Sequence, residues 1–376
     1  MKIAGVESIV VADSHYVRIT TDDGTTGLGQ SGVWAYPDAV HAVIEQFKKY
    51  LIGQDPLRIE HHWQHLYRMG PFRGAILGGA ISAVDIALWD IKGKHFQAPI
   101  WQLLGGKCRD RIRLYLILVD ESPDELAASA RAAAEQGFTA VKFDPLPSSY
   151  KDMTLSRLVQ AAADMVGAAR EAVGLDVDLI LELHRRLTPL QVPSVVDAIR
   201  PFRPLYIEDP IQLDSICSQA ELAQRLAVPV ANGERMHTIW EFRELLAYGG
   251  AQFLRPDLGL AGGITHCKKI AAIAESYHCA IVTHNFLGPV LTAACVHLDA
   301  SIPNFIVQEY YAKADEDPLA AAFPGALKRE GGYLAVPETI GLGVEVDPSK
   351  VISIWPDGHE FTRTPLRADG SVALAG

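Results

Sequence analysis

The 376-residue sequence predicts an α/β protein: a TIM-type β/α barrel with an N-terminal α+β capping domain that the C-terminal tail completes. Three observations carry this expectation. Glu182, Glu208, Glu234, Asp257, His284 and Glu309 follow one another in steps of 26, 26, 23, 27 and 25 residues, with His184 just after the first. Such a step is the length of one strand, one helix and two short connections. Each member also closes an apolar, strand-like run: DVDLILELH, RPLYIEDP, AVPVANGE, AQFLRPD, CAIVTHN and NFIVQEY. Between the runs lie Ala-rich amphipathic stretches of helix length that end near Gly or Pro, such as DELAASARAAAEQG and THCKKIAAIAESY. Alternating strands and helices imply parallel strands joined by right-handed crossovers.

The elements follow in order. Residues 1–30 alternate in polarity and turn at Asp-Gly, as a β-meander does. From about Pro37 to Met69 the pattern is helical; a loop, MGPFRG, follows. A further helix runs from about Ile76 to Gly93, with Ile81, Val84, Leu88 and Ile91 on one face. The capping domain is therefore placed at residues 1–110. The strand RIRLYLIL opens the barrel, TAVKFD at 139–144 continues it, and the barrel is placed at 111–320. Residues 321–376 are loop-rich with a few strand-like pieces, and are expected to return to the cap.

Hydrophobic content of 49% and charged content of 21% leave room for a large core. The net charge of −11 is spread without basic runs, which argues against a nucleic-acid partner. No apolar run reaches the roughly 18 residues of a membrane span, and the first residues alternate rather than forming a signal peptide. A cytoplasmic location is expected. The five cysteines are scattered and free of CxxC spacing, as reduced thiols would be.

Functional groups at the C-terminal ends of successive barrel strands converge on one mouth, so the chain is expected to be an enzyme. Taken singly, Glu182, Glu208 and Glu234 read as strand caps or partners of Lys or Arg. Three in register on adjacent strands repel one another, and a divalent cation relieves that repulsion. An all-oxygen ligand set suits Mg²⁺ better than Zn²⁺. Asp257 beside His284 would fix the tautomer of the imidazole and leave its other nitrogen as a base. His184 reads as a proton donor, a fourth ligand or a core histidine, and the donor is favoured. Glu309 would stabilise an oxyanion, bind a hydroxyl or merely cap its strand.

The chain resembles the mandelate racemase-like branch of the enolase superfamily. The likeness runs through ISAVDIALWDIKGK and PIWQLLGG, then IEDP, NGER, RPDLGLAGGIT, THN, QEY and GLGVEVD. It implies a (β/α)7β-type barrel, Mg²⁺ on Glu182, Glu208 and Glu234, a His284–Asp257 base dyad, and Glu309 as an electrophilic helper. The histidine two residues past the first ligand, His184, is similar to that of galactonate dehydratases, where it expels the leaving hydroxyl; mannonate dehydratases have a related arrangement. The resemblance also implies a small-molecule sugar acid substrate and a homo-oligomer.

Two positions depart from the pattern. The first metal ligand is Glu182 where the superfamily usually has Asp, one methylene shorter. In the K-x-K of racemases the second lysine is replaced by Asp144, so racemisation loses its second base. Lys142 and Asp144 both point inward as candidate substrate contacts, with a Lys142–Asp144 pair as the alternative. The reaction implied is removal of the C2 proton of a sugar acid and loss of the C3 hydroxyl, giving a 2-keto-3-deoxy acid. Mg²⁺ on the carboxylate is the superfamily's general means of stabilising the charge that develops. Substrate choice is expected from the cap: Trp34 and Tyr36 in SGVWAYP, and Arg73 in MGPFRG.

Overall fold

A computed structural model of the chain describes residues 1–11, 14–310, 322–347, 349 and 366–374. The cap opens with an antiparallel meander, β1 (Ile3–Val11), β2 (Ser14–Thr21) and β3 (Thr26–Ser31). Three helices cover it: α1 (Pro37–Leu51), α2 (Ile59–Arg68) and α3 (Ala75–His95). The single helical stretch expected from Pro37 to Met69 is thus two helices. The break contains Gly53, at φ +80°, and Pro56, and it is tied back to β1 by Gly53 N donating to Ile3 O at 2.8 Å. A sheet tether that is distant in sequence sets this break, and helical periodicity does not register it.

Glycines on β3 let α3 lie directly on the sheet. A Cβ at Gly27 would stand 2.1 Å from Ala87 O, and one at Gly29 would stand 1.9 Å from Ala83 O. The buried Asp90 of α3 then joins three segments. Its carboxylate accepts from Leu28 N of β3 at 3.1 Å, from Lys94 Nζ at 3.0 Å and from Leu342 N of the tail at 2.8 Å.

A short helix, α4 (Ile100–Leu103), leads into the barrel. Among the described residues, eight strands and seven helices alternate: β4 (Arg111–Ile117), α5 (Pro123–Glu135), β5 (Ala140–Phe143), α6 (Leu155–Val173), β6 (Asp178–Glu182), α7 (Val192–Ile199), β7 (Tyr206–Glu208), α8 (Ile216–Ala223), β8 (Val230–Asn232), α9 (Ile239–Ala247), β9 (Phe253–Leu254), α10 (Gly263–Ser276), β10 (Ala280–Ile281), α11 (Pro289–Ser301) and β11 (Gln308–Tyr310). This is the expected (β/α)7β order. Local chemistry starts and stops the helices. Ser122 Oγ accepts from Glu125 N ahead of Pro123 at the start of α5, and Gly174 at φ +64° ends α6.

The strands pair in parallel from β4 to β10, and β11 pairs with β4. A bridge between Ile281 and Phe305 closes the ring. Inside it Tyr115, Ala140, Ile180, Tyr206, Ala231, Val282 and Val307 form a fully buried layer. Positions two residues further on share that face, and five of the seven are Lys142, Glu182, Glu208, His284 and Glu309, the other two being Ile117 and Gly233. An apolar plug thus floors a charged layer.

The tail divides. The hairpin β12 (Arg329–Glu330) and β13 (Tyr333–Ala335) pairs antiparallel with β4, while Gly341 bonds to Ala98 and Leu342 to Asp90 of the cap. Residues 366–374 lie on the loop after β5, where Ala368 N donates to Asp152 Oδ1 at 2.9 Å. Of the expected 321–376 segment, residues 321, 348, 350–365, 375 and 376 lie outside the described residues. No described helix is long and apolar enough to cross a membrane.

Gly29 takes an ordinary φ, so replacing it tests packing alone. Gly29→Ala is expected to lower stability in urea by about 2 kcal/mol or more, because the obstacle is backbone. An unchanged midpoint would show that β3 and α3 do not approach this closely.

Candidate active site

Strand ends set the geometry. Glu182 and Glu208 stand side by side as the last residues of β6 and β7, paired in register. Glu234 follows β8 by two residues, after Gly233 at φ +131° turns the chain. All three are buried, and one oxygen from each lies within 4.8 Å of the others. Glu208 Oε2 has no hydrogen-bond donor among the described residues. The residues fit a divalent cation: the donor set is all oxygen, and an orphaned buried carboxylate oxygen belongs to it.

Three buried cations border this triad. Lys142 Nζ lies 2.8 Å from both Glu182 Oε2 and Glu208 Oε1, and 3.7 Å from Glu309 Oε1. Arg255, fully buried, places Nε 2.5 Å from Glu208 Oε1 and Nη2 2.5 Å from Glu309 Oε2, and its Nη1 donates to Tyr115 Oη. Arg185 bridges Glu234 Oε1, at 2.9 Å, and Asp209. Among the described residues, Lys142, Arg185 and Arg255 therefore meet five carboxylates: Glu182, Glu208, Asp209, Glu234 and Glu309. Counting these buried groups alone, with all of them ionised, the carboxylates exceed the cations by two; the half-exposed Arg235 adds one further contact, its Nε 3.1 Å from Glu234 Oε1.

The proton affinities express the same crowding. Burial and the neighbouring Glu182 charge push Glu208 well above the usual carboxylate range, although Arg255 opposes this. Burial also works against Glu182, yet Lys142 and then His184 hold it well below its ordinary value. Mutual repulsion in a buried site thus drives the two carboxyls apart, Glu182 below and Glu208 above the ordinary range.

Across the mouth, His284 Nδ1 lies 2.7 Å from Asp257 Oδ2, and Gly259 N donates to Asp257 Oδ1 at 2.6 Å. The carboxylate is pinned on both sides, so the ring is oriented with Nε2 3.6 Å from Glu234 and 3.9 Å from Glu309. Burial lowers the proton affinity of His284, but Glu309, Glu234 and Asp257 outweigh it and raise it above the ordinary histidine value. Glu309 also accepts from Asn285 N at 3.3 Å, so it joins the two halves of the site rather than capping a strand.

His184 leaves β6 through a left-handed turn, with φ +47° at His184 and +59° at Arg185. Its amide donates to Glu182 Oε1 at 2.8 Å, and its Nδ1 lies 3.0 Å from Asp144 Oδ2. The alternative of a Lys142–Asp144 pair is corrected here. Lys142 is held by the glutamates, whereas Asp144 lies by His184 and Arg186. Alternation places Lys142 and Asp144 on the same face, but the deeper carboxylates capture the lysine.

The cap residues divide as well. Trp34 meets Phe286 edge-on at 6.1 Å, and Phe286 meets His284 at 5.4 Å, so Trp34 reaches the His284 ring through Phe286. The adjoining Gly32 has no room for a Cβ, which would stand 2.6 Å from Asp257 Oδ1. Tyr36 begins α1 and is largely exposed. Arg73 lies over the Tyr67 ring and donates to Gly70 O and Phe72 O. It lines a cavity of about 390 Å³ with Trp63, His237 and Glu241, and no member of the triad or the dyad lines that cavity.

Sequence reasoning missed Arg255, Arg185 and Arg186. Arg255 precedes Asp257 by two residues, so strand alternation was a usable signal. The left-handed turn at 184–185 breaks that alternation, which leaves no comparable signal for the other two.

Comparison with known proteins bears on the whole chain. Residues 4–105 match the mandelate racemase / muconate lactonizing enzyme N-terminal domain family, and residues 125–350 match the enolase C-terminal domain-like family. A D-galactonate dehydratase of Cronobacter sakazakii is 39% identical over 370 residues, covering 95% of each chain. One from Ralstonia pickettii is 38% identical over 366 residues at the same coverage. Among solved structures, an enolase from Agrobacterium radiobacter, bound to Na and L-malate, superposes with a TM-score of 0.91 at 31% identity over 100% of both chains.

Arg255→Met would leave Glu208 and Glu309 with Lys142 as their one remaining buried cation among the described residues. The metal-free protein is expected to lose about 3–5 kcal/mol in urea denaturation. A loss below about 1 kcal/mol would mean that these pairs contribute little in solution.

Proposed function

The chain belongs to the enolase superfamily, in the mandelate racemase and muconate lactonizing enzyme branch, and is a hydro-lyase; we propose that it is a Mg²⁺-dependent dehydratase of an aldonate such as galactonate, gluconate or mannonate. The observation that carries this reading is topological. β6 and β10 stand four strands apart in an eight-strand ring, so His184 and His284 come from opposite sides of the mouth, with Glu182, Glu208 and Glu234 along one arc between them. Elimination needs a base and an acid that do not share a proton, and this arrangement supplies both.

Glu182, Glu208 and Glu234 would hold Mg²⁺. When bound, the ion supplies Lewis-acid stabilisation of the charge that develops on the substrate carboxylate. Lys142, Arg255 and Glu309 form the fixed polar wall beside that carboxylate, preorganised by their mutual bonds. His284 Nε2 takes the C2 proton, with Asp257 holding the ring. His184 gives a proton to the departing C3 hydroxyl, which leaves as water. The enol that remains tautomerises to the 2-keto-3-deoxy acid. Phe286 and Trp34 cover the base and limit the entry of water. The extra methylene of Glu182 is taken up by its bonds to Lys142 and to the His184 amide.

The reading is tested by proton NMR in D₂O with Mg²⁺, taking D-galactonate first among the aldonates. His284→Asn is expected to abolish both C2 exchange and dehydration. His184→Asn should lower dehydration by about 10²–10⁴-fold while C2 exchange persists. Loss of exchange in His184→Asn with Mg²⁺ still bound would overturn this division of roles.

A further inference from the structure

The acid side of the mouth repeats the construction of the base side. At His284 a carboxylate grips Nδ1, and that carboxylate is itself held by a backbone amide from Gly259. At His184 Asp144 Oδ2 stands 3.0 Å from Nδ1, and Asp144 Oδ1 accepts from Leu146 N at 2.8 Å. Arg186 pairs with the same Oδ2, and its guanidinium lies 5.2 Å from the Tyr150 ring. Tyr150 Oη donates in turn to Leu374 O of the tail.

The imidazole needs this support. His184 is 40% exposed in its side chain, so packing alone does not fix its ring. Its backbone is bent left-handed, and that bend is pinned by Arg185 N donating to Asp209 O at 2.8 Å and by Gln212 Nε2 donating to Arg185 O at 2.9 Å. The turn sets where the side chain starts, and Asp144 sets which nitrogen faces the mouth.

We propose that Asp144, steadied by Arg186, is a positioning residue for His184 rather than a contact for the substrate. The assignment rests on the dehydratase reading above. With Nδ1 committed to Asp144, Nε2 is the nitrogen directed at the leaving hydroxyl, and two opposed histidine–carboxylate pairs divide the reaction between them. The loop after β5 thus serves the acid, just as the loop after β9 serves the base.

Asp144→Asn suits the test, because the amide oxygen keeps the Leu146 bond while the carboxylate is lost. With the aldonate that the wild-type enzyme dehydrates, the substitution is expected to lower kcat by about 10–100-fold, with KM within about twofold. C2 exchange in D₂O should stay at the wild-type rate, which also reports an intact site. The double variant with His184→Asn should be no slower than His184→Asn alone. A 3-deoxy-3-fluoro analogue, whose fluoride leaves without a proton, should be eliminated by Asp144→Asn at close to the wild-type rate. A raised KM with kcat intact, or additive losses in the double variant, would overturn the proposal and make Asp144 a substrate contact. If Asp144→Asn also loses exchange, Arg186→Gln decides: a lower kcat with exchange retained supports the proposal, and unchanged kcat overturns it. Failure of the wild-type enzyme on every aldonate, or an active His184→Asn, would instead remove the dehydratase reading beneath it.

Discussion

Five carboxylates gathered at one end of a barrel form the constraint on which the rest of the structure depends. Burying one unpaired carboxylate is costly, and burying five together compounds the cost through mutual repulsion. Lys142, Arg185 and Arg255 offset part of it, each by reaching two or more carboxylates. What they leave over is an oxygen-lined, negatively charged gap between Glu182, Glu208 and Glu234. The buried cations thus leave this carboxylate cluster under-neutralised, and the divalent cation proposed above would complete it.

The barrel makes that concentration possible because its side chains come in layers. Tyr115, Tyr206 and their neighbours plug the interior, and the next inward position on most strands is charged. The plug also contributes polar support, since Arg255 donates to the Tyr115 hydroxyl from above. The cap closes over this layer through glycines. Gly32 packs against Asp257, and Gly27 and Gly29 let α3 settle on β3. Asp90 links that helix to the C-terminal tail, so cap and tail brace each other around the barrel.

Much of this was legible in the sequence because it follows from two periods. The spacing of about 25 residues reports the βα unit, and the alternation of two reports which side chains face the mouth. Glu182, Glu208, His284 and Glu309 obey both, whereas Lys142, 40 residues before Glu182, obeys the alternation alone. Features that break a period were hidden. The helix break at 52–58 depends on bonds to β1, far away in sequence. The capture of Lys142 by glutamates, and the approach of Asp144 to His184, depend on side-chain reach and on a left-handed turn that alternation does not describe. Arg73 was singled out by its loop, yet its loop carbonyls and Tyr67 engage it in a separate cavity.

The central claim is that the carboxylate gap is a cation site that the three basic residues leave unfilled. Anomalous diffraction at the manganese edge, from crystals grown with Mn²⁺ as a probe for Mg²⁺, tests it most directly. The account expects one strong peak bonded to an oxygen of each of Glu182, Glu208 and Glu234, with Lys142 moved aside from Glu182 or Glu208 but still paired with the other. No peak at that position at saturating Mn²⁺, with the Lys142 ammonium still bridging Glu182 and Glu208, would contradict it.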